Sequence, residues 1–500
     1  MSEARASLED EFEDLGSRTR KAGYWALAGQ VVKALIQVVT VVVLSRLLTP
    51  DDYGIFGMVM AFVALTDLFR ELGLSAAAIQ AKQISAAQRS NLWWINTAAG
   101  ASLSLLSVAA APLVAWLFAE PRLTPYVWAI GALFLISGMS AQYSASLQRQ
   151  LRQKTLQVIN ISAQVIALVV TIVLAALGWG AWALIVQSLL GSATTLVLLV
   201  LVSKWWPQRW DRNADMRGFF RFGFAVFGYS VVSYLANYIV NLSTGRFFGA
   251  RELGSLTRGT QLVSTPVSLM VAPVSNLAFV TLSKVQDDAQ RLRRYSLLWQ
   301  QTVGYAVALL CGGLLVVSPS LVPLALGDGW SRTVGFVQLL CISTALGYVP
   351  LAAGWLYQSL GRPDIQLRIS LVFTPIRVVV VLLAAMVSVE AVLWANIAVS
   401  MVTWPVSYTI LGRTTRVEVR PLVRGVLRSF VVGGLPAALL LLARWQMHTE
   451  WPVIVDLLLY GGAYVVLATG WLLVPPVRRE IWEVKAAVLR TRKQAAPKAT

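Results

Sequence analysis

Gln30, Lys33 and Gln37 sit in an apolar run from about Ala22 to Leu44, at a depth where lipid accepts little polarity. Their i, i+3, i+7 spacing puts them on one face of a helix. A lysine near the middle of a membrane helix costs roughly 2.5–3.5 kcal/mol on insertion scales, so that face is expected to meet a cavity or another helix. Arg258, with Gln261 one turn on, and Arg377, after Pro375, are two more deep cations. The acids that could compete lie at the end of another apolar run. There Asp67 can meet Arg70 at i, i+3 or Glu71 at i, i+4, so Asp67, Arg70 and Glu71 are placed for a coupling pair or a structural one. A cavity with this balance of charge suits an anion, and phosphate and pyrophosphate bind well to Arg and Lys. Catalysis is not expected. The chain has one histidine, His448, and two cysteines, Cys311 and Cys341, with no metal-like spacing. Neither a metal nor a cofactor is implied.

Many membrane spans must position these residues. Of 500 residues, 57% are hydrophobic and 13% charged, about half the charge of a soluble protein, and mean hydropathy is +0.66. Apolar segments fall at about 23–45, 54–73, 91–118, 126–147, 155–177, 180–203, 221–243, 253–279, 297–318, 332–358, 365–388, 391–411, 425–443 and 453–474. That is an all-α polytopic membrane protein of about fourteen helices, with both termini on one side. Of the 42 Lys and Arg residues, Arg46, Arg122, Arg246, Arg251, Arg332 and Arg444 fall on one side and Lys33, Arg70, Arg258 and Arg377 within spans. The rest fall on the side of the termini. The positive-inside rule therefore puts both termini in the cytoplasm. It also accounts for the net charge of +18 without a nucleic-acid partner. The polar N-terminus lacks the apolar core of a signal peptide. The C-terminal "RREIWEVKAAVLRTRK" is either a solvated tail or a basic amphipathic segment on anionic membrane lipid. The longest connection, Lys204 to Arg221, leaves no room for a soluble catalytic domain.

The chain repeats itself at an offset of about 200 residues. "SRLLTPDDYGIF" at Ser45 answers "GRFFGARELGSL" at Gly245, with Arg46 to Gly54 spaced as Arg246 to Gly254. "LRQKTLQ" at Leu151 sits like "LGRPDIQ" at Leu360, and "GAWALIVQS" at Gly180 like "EAVLWANIAVS" at Glu390. The same shift carries Gln30, Lys33 and Gln37 onto Ser230, Ser233 and Asn237, and Asn241 extends that stripe. Serines and asparagines also glue membrane helices together, so the second stripe has a structural reading too. The organisation expected is a cytosolic tail (1–22), a six-helix lobe (23–203), a cytosolic linker (204–220), a second six-helix lobe (221–411), two added helices (412–475) and a basic tail (476–500). Pseudo-symmetric halves of this kind typically enclose a site at their interface and alternate its access. Prolines at 266, 273, 350, 375 and 405 are placed to bend helices.

"LSRLLTPDDYGIFGM", "ELGLSAAAIQ", "NLWWINTAAG", "GRFFGARELGSLTRGTQL", "LSKVQDDAQRLRRY", "LALGDGW" and "LGRPDIQLRIS" occur in that order. Together they resemble polysaccharide exporters of the Wzx type, in the multidrug/oligosaccharidyl-lipid/polysaccharide superfamily, and most of all the subgroup with the colanic acid exporter. The resemblance implies a flippase that moves undecaprenyl-pyrophosphate-linked oligosaccharide across the bacterial plasma membrane by alternating access. Other polysaccharide assembly proteins are implied as partners. It also implies a cationic lumen for the head group, which Lys33, Arg258 and Arg377 fit by position. Relatives often carry an aspartate late in the seventh span, where this chain has Asn241. A multidrug or cation antiporter of the same superfamily is the alternative, but it calls for deep carboxylates. A membrane glycosyltransferase would need acids and a large loop. A non-transporting scaffold would need neither.

Overall fold

The structure, a computed structural model, describes residues 25, 28–71, 85–150, 152–211, 217–415, 417–447, 451–475, 477, 478 and 482, with the backbone alone at 65–71, 217–237, 363 and 472. The N-terminal tail, His448, most of the basic C-terminal tail, and the side chains of Asp67, Arg70, Glu71, Ser230, Ser233 and Asn237 lie outside the described residues. Every regular element among the described residues is helical. They run α1 Ala28–Leu47, α2 Pro50–Glu71, α3 Ala86–Phe118, α4 Leu123–Arg149, α5 Gln153–Ala176 and α6 Ala181–Ser203. Arg217–Lys284 follows as one element broken at Gly249, whose φ of 82° and ψ of −176° suit glycine and not an L side chain. Its arms, 217–248 and 250–284, are α7 and α8. Then come α9 Ala289–Leu326, α10 Ser331–Gly347, α11 Leu351–Ser359, α12 Pro363–Ala384, α13 Val389–Thr414, α14 Val419–Met447 and α15 Val453–Gly470. Among the described residues, twelve helical stretches are long and apolar enough to cross a membrane. Tyr238–Lys284 is one of them despite the break, and Asp328–Ser359 joins α10 to α11.

Helix ends differ from the ends of the apolar runs because capping, not hydropathy, sets them. The apolar run of α3 starts near residue 91, yet the helix starts at Ala86. Ser85 takes the Gln88 N–H at 3.1 Å and the Gln88 side chain takes the Ser85 N–H at 3.1 Å, a reciprocal capping box. Asp288 caps α9 one-sidedly, its carboxylate accepting from the N–H groups of Gln290 and Arg291. At α2 the "TPDD" of the first copy of the repeat is itself a start signal. Thr49 N–H donates to Asp52 Oδ2 at 2.9 Å, Asp52 N–H donates to Thr49 Oγ1 at 3.3 Å, and Pro50 begins the helix, where no N–H is needed. The run 332–358, read above as one span, is two helices parted at Tyr348–Pro350. Proline cannot donate into the ladder, and the Tyr408 hydroxyl donates to the Val349 carbonyl at 3.0 Å beside the break.

The chain forms two compact units, Met1–Gly254 and Ser255–Thr500. In the first, α4 packs against α2, α3, α5 and α6, around a core that includes Met58, Phe134, Leu123 and Ile185. In the second, α9 packs against α10, α11, α14 and α15. Tyr464 on α15 donates to the carbonyls of Leu309 on α9 and Gly433 on α14, each at 3.0 Å. The aspartate in the last apolar segment is matched here as well. Asp456 is buried, Arg444 Nη2 lies 2.8 Å from its Oδ2, and the Ser320 hydroxyl donates to the same carboxylate.

The repeat offset reappears as a contact within the first unit. A Cβ built on Gly54 would lie 1.7 Å from the Ala250 carbonyl oxygen, and one on Gly254 1.8 Å from that of Pro50. Pro50 and Gly54 stand 200 residues before Ala250 and Gly254. The crossing is therefore reciprocal between equivalent residues, backbone on backbone, as small residues allow in membranes.

Gly254→Ala should destabilise the protein by at least the 1–3 kcal/mol of an overpacked contact. Gly434→Ala, where a Cβ meets nothing within 4 Å, should be neutral or slightly stabilising. Thermal melting of the purified proteins in detergent checks this, and equal melting temperatures would show that the crossing is not tight. Arg444→Met should cost about 3–5 kcal/mol, the usual penalty for stranding one member of a buried pair. Arg444→Met with Asp456→Leu should recover part of that loss in the same assay.

Candidate functional site

α1 carries the stripe with its inward face. Ala34, Thr40, Val41 and Leu44 are buried, whereas Val31, Leu35, Val38 and Val39 are exposed on the other side. At 100° per residue, Lys33 and Gln37 fall on the buried side, and both are half-buried. Gln30 shares the face at the exposed end of the helix. The Lys33 side chain has no ion pair or hydrogen bond among the described residues.

The neighbour of this stripe is α5. A Cβ on Gly29 would lie 2.6 Å from the Gln157 side chain, so the helices touch there. Lys154 Nζ lies 4.9 Å from the centre of the Trp25 ring, one turn away. Gln157 Oε1 is buried without a hydrogen-bond partner. From Gln157 the side chains of Asn160 and Gln164, both half-buried, continue along one face. Val158, Val165, Ile166 and Val169 are exposed on the opposite side. Sequence reasoning missed this second stripe, although its i, i+3, i+7 spacing repeats that of Gln30, Lys33 and Gln37. Without a charge among its three residues nothing marked it out. The structure sets two such faces side by side, a polar strip with one cation and an orphaned amide oxygen. Asn241, at the other end of the unit's sequence on α7, is half-buried.

The other cations differ in kind. Arg258 on α8 is buried at 5% exposure, and its Nη1 donates to Gln261 Oε1, so the two residues form a local pair. The i, i+3 spacing seen in the sequence is the geometry that joins them. Arg377 on α12 is half-buried, and its Nε is buried with no hydrogen-bond partner. It resembles Lys33 more than Arg258. Lys33 belongs to the first unit and Arg258 and Arg377 to the second.

Outside the spans, the turn between α3 and α4 holds a compact charge cluster. Arg122 donates to Glu120 Oε1 at 2.8 Å and to Asp51 Oδ2 at 2.9 Å. The hydrogen bond from Arg122 holds the Glu120 carboxyl below its usual range, against a smaller upward push from burial. Its ion pairs fix the turn onto the start of α2.

The linker is also tied down. Ser90 accepts from Gln208 N–H at 3.1 Å, Trp94 Nε1 donates to the Gln208 carbonyl at 2.8 Å, and the Asn91 amide grips the backbone of Asp211 at both ends. The strap lays Trp205 over Arg89, with the guanidinium carbon 4.0 Å from the ring centre. Nothing in the sequence pattern announced this, because the contacts join residues some 120 positions apart.

Comparison with known proteins gives the same fold and a family. Residues 43–335 match the model of a polysaccharide biosynthesis protein family. The chain is 25% identical to the lipopolysaccharide biosynthesis protein WzxC of Escherichia coli K12, over 71% of this chain and 72% of that one. It is 26% identical to the teichuronic acid biosynthesis protein TuaB of Bacillus subtilis, over 68% and 71%. Among solved structures, the lipid II flippase MurJ in an inward closed conformation superposes with a TM-score of 0.68 at 12% identity, covering 90% of this chain and 98% of that one. An inward-facing multidrug MATE transporter gives 0.57 at 14% identity, over 77% and 95%. The matched residues carry the repeated start of α2 and the crossing at Gly54 and Gly254, and the chain belongs to the polysaccharide biosynthesis protein family.

Proposed function

We propose that this multi-pass protein of the bacterial inner membrane is a flippase for polyprenyl-pyrophosphate-linked oligosaccharide. It moves the glycan unit outward by alternating access, with no catalytic step. The α1 stripe is the observation that carries this reading. A lysine whose side chain has no ion pair or hydrogen bond among the described residues, on the inward face of a spanning helix and beside a second polar helix face, is a place for an anion and polar sugars rather than for lipid. Lys33 meets the phosphates, Arg377 is a second cation of the same type, and Gln30, Gln37, Gln157, Asn160 and Gln164 offer amides to hydroxyl groups. The fold shared with a lipid II flippase and the relatives named for surface polymers support the same class of substrate. We also propose that α2 and both arms around Gly249 each cross the membrane, which gives fourteen spans with both termini cytoplasmic. Working contact with other polysaccharide assembly proteins belongs to the proposal too.

The multidrug antiporter reading draws on the MATE likeness, but charge favours the flippase. Among the described residues, Asp456 is the buried carboxylate, and Arg444 neutralises it. A cation path has little to use there.

Lys33→Ala should lower transfer of a polyprenyl-pyrophosphate-linked oligosaccharide in reconstituted vesicles about tenfold or more, the worth of one charge-assisted contact. Protein yield and melting temperature should hold, and Lys33→Arg should keep much of the activity. Arg258→Ala should act differently, lowering yield or melting temperature, because Gln261 and the buried surroundings of Arg258 lose their partner. Full transfer by Lys33→Ala would remove the lysine from the path.

A further inference from the structure

A second cationic place lies in the first unit, built from residues other than those of the α1 stripe. A cavity of about 170 Å³ is lined by Arg89 on α3, by Gln142, Ser146 and Arg149 on α4, and by Gln150 just beyond it. No carboxylate is among those lining residues. The Arg89 side chain makes no ion pair or hydrogen bond among the described residues, and its Nε is buried without a partner there. Gln142 is 2% exposed, and its Oε1 likewise has no hydrogen-bond partner. Two guanidinium groups, two amides and a hydroxyl thus surround a space large enough for several waters or one phosphate group. The Arg89 guanidinium, with no carboxylate partner among the described residues, is expensive in such a place unless an anion visits it.

The surroundings point to where the anion comes from. Trp205 covers Arg89 by stacking and stands edge-on to the buried Tyr143, with ring centres 5.3 Å apart. The strap that places it also carries Trp206 and Trp210, which are 73% and 49% exposed, and Trp94 beside it is 41% exposed. Exposed tryptophans at the ends of spanning helices belong at the head-group level of a membrane. All these residues lie at the start of α3, the end of α4 and the end of α6, which the orientation above places at the cytoplasmic leaflet. Basic pockets between helices on that side hold lipid head groups.

We propose that this cavity binds the phosphate of a lipid head group in the cytoplasmic leaflet, with Arg89 and Arg149 on the phosphate oxygens and the Gln142 amide turned to donate. The site shares no lining residue with the α1 stripe.

Native mass spectrometry of the full chain in a neutral detergent tests it, with phosphatidylglycerol, phosphatidylcholine and polyprenyl pyrophosphate offered separately. Arg89→Gln and Arg149→Gln should each weaken binding of a phosphate-bearing lipid about tenfold or more, and Arg89→Lys less. Loss confined to phosphatidylglycerol, with phosphatidylcholine unchanged, makes an anionic phospholipid the occupant. Loss confined to polyprenyl pyrophosphate makes the carrier lipid the occupant. Unchanged binding of all three lipids to both glutamine variants overturns the site. If Arg89→Gln melts early, Arg149→Gln, at the rim of the helix end, decides the question alone.

Discussion

Hydrocarbon offers no partner to a polar group, and this one constraint organises the molecule. Each backbone carbonyl and each charge placed at membrane depth needs a partner from the chain or a ligand. Where Pro350 parts α10 from α11, Tyr408 supplies the donor for Val349. Where α15 carries an aspartate, α14 brings Arg444 and α9 brings Ser320. Where α8 carries an arginine, Gln261 waits one turn on. These groups are accounted for inside the protein. They have structural work to do whether or not a substrate is present.

The same constraint gives weight to what is not accounted for. Lys33, Arg377 Nε, Arg89 Nε, Gln157 Oε1 and Gln142 Oε1 lack partners among the described residues. Lys33 and Gln157 fall on adjoining helices around the Gly29 contact, and Arg89 and Gln142 line one cavity. A polar group without an internal partner is tolerable where water or a ligand reaches it. Two clusters of that kind in one unit imply two places where something polar enters.

Much of the helical frame was legible in the sequence because twenty-residue apolar runs have few other uses. The helix ends were less so. Ser85, Asp288 and Thr49 set them by short-range hydrogen bonds that hydropathy does not register. The 200-residue echo was legible as matched glycines, but its meaning was not. Spacing shows that Gly54 and Gly254 are equivalent and cannot show that each lies against the partner segment of the other. The Lys33 face was readable from three residues, since a charge stands out against leucine and valine. The α5 face, made only of amides, needed a neighbour to reveal it. The strap over Arg89 was beyond sequence reasoning, because Asn91 and Asp211 are joined by folding alone.

Arg258 and Lys33 looked alike as deep cations, and the structure separates them by partnership. Both would cost about the same to insert alone. Arg258 recovers that cost internally, so removing it harms the fold before it harms binding. The Lys33 side chain has no such partner among the described residues, and it stands on the helix that meets Gln157 of α5. For a helix face flanked by amides, an anion that brings hydroxyl groups with it satisfies both kinds of donor at once. A phosphorylated lipid bearing a sugar has that composition, whereas a lipophilic cation meets Lys33 with the wrong sign. The proposal of a glycan carrier rests on this asymmetry between an arginine with a partner and a lysine without one among the described residues, more than on the number of positive charges in the chain.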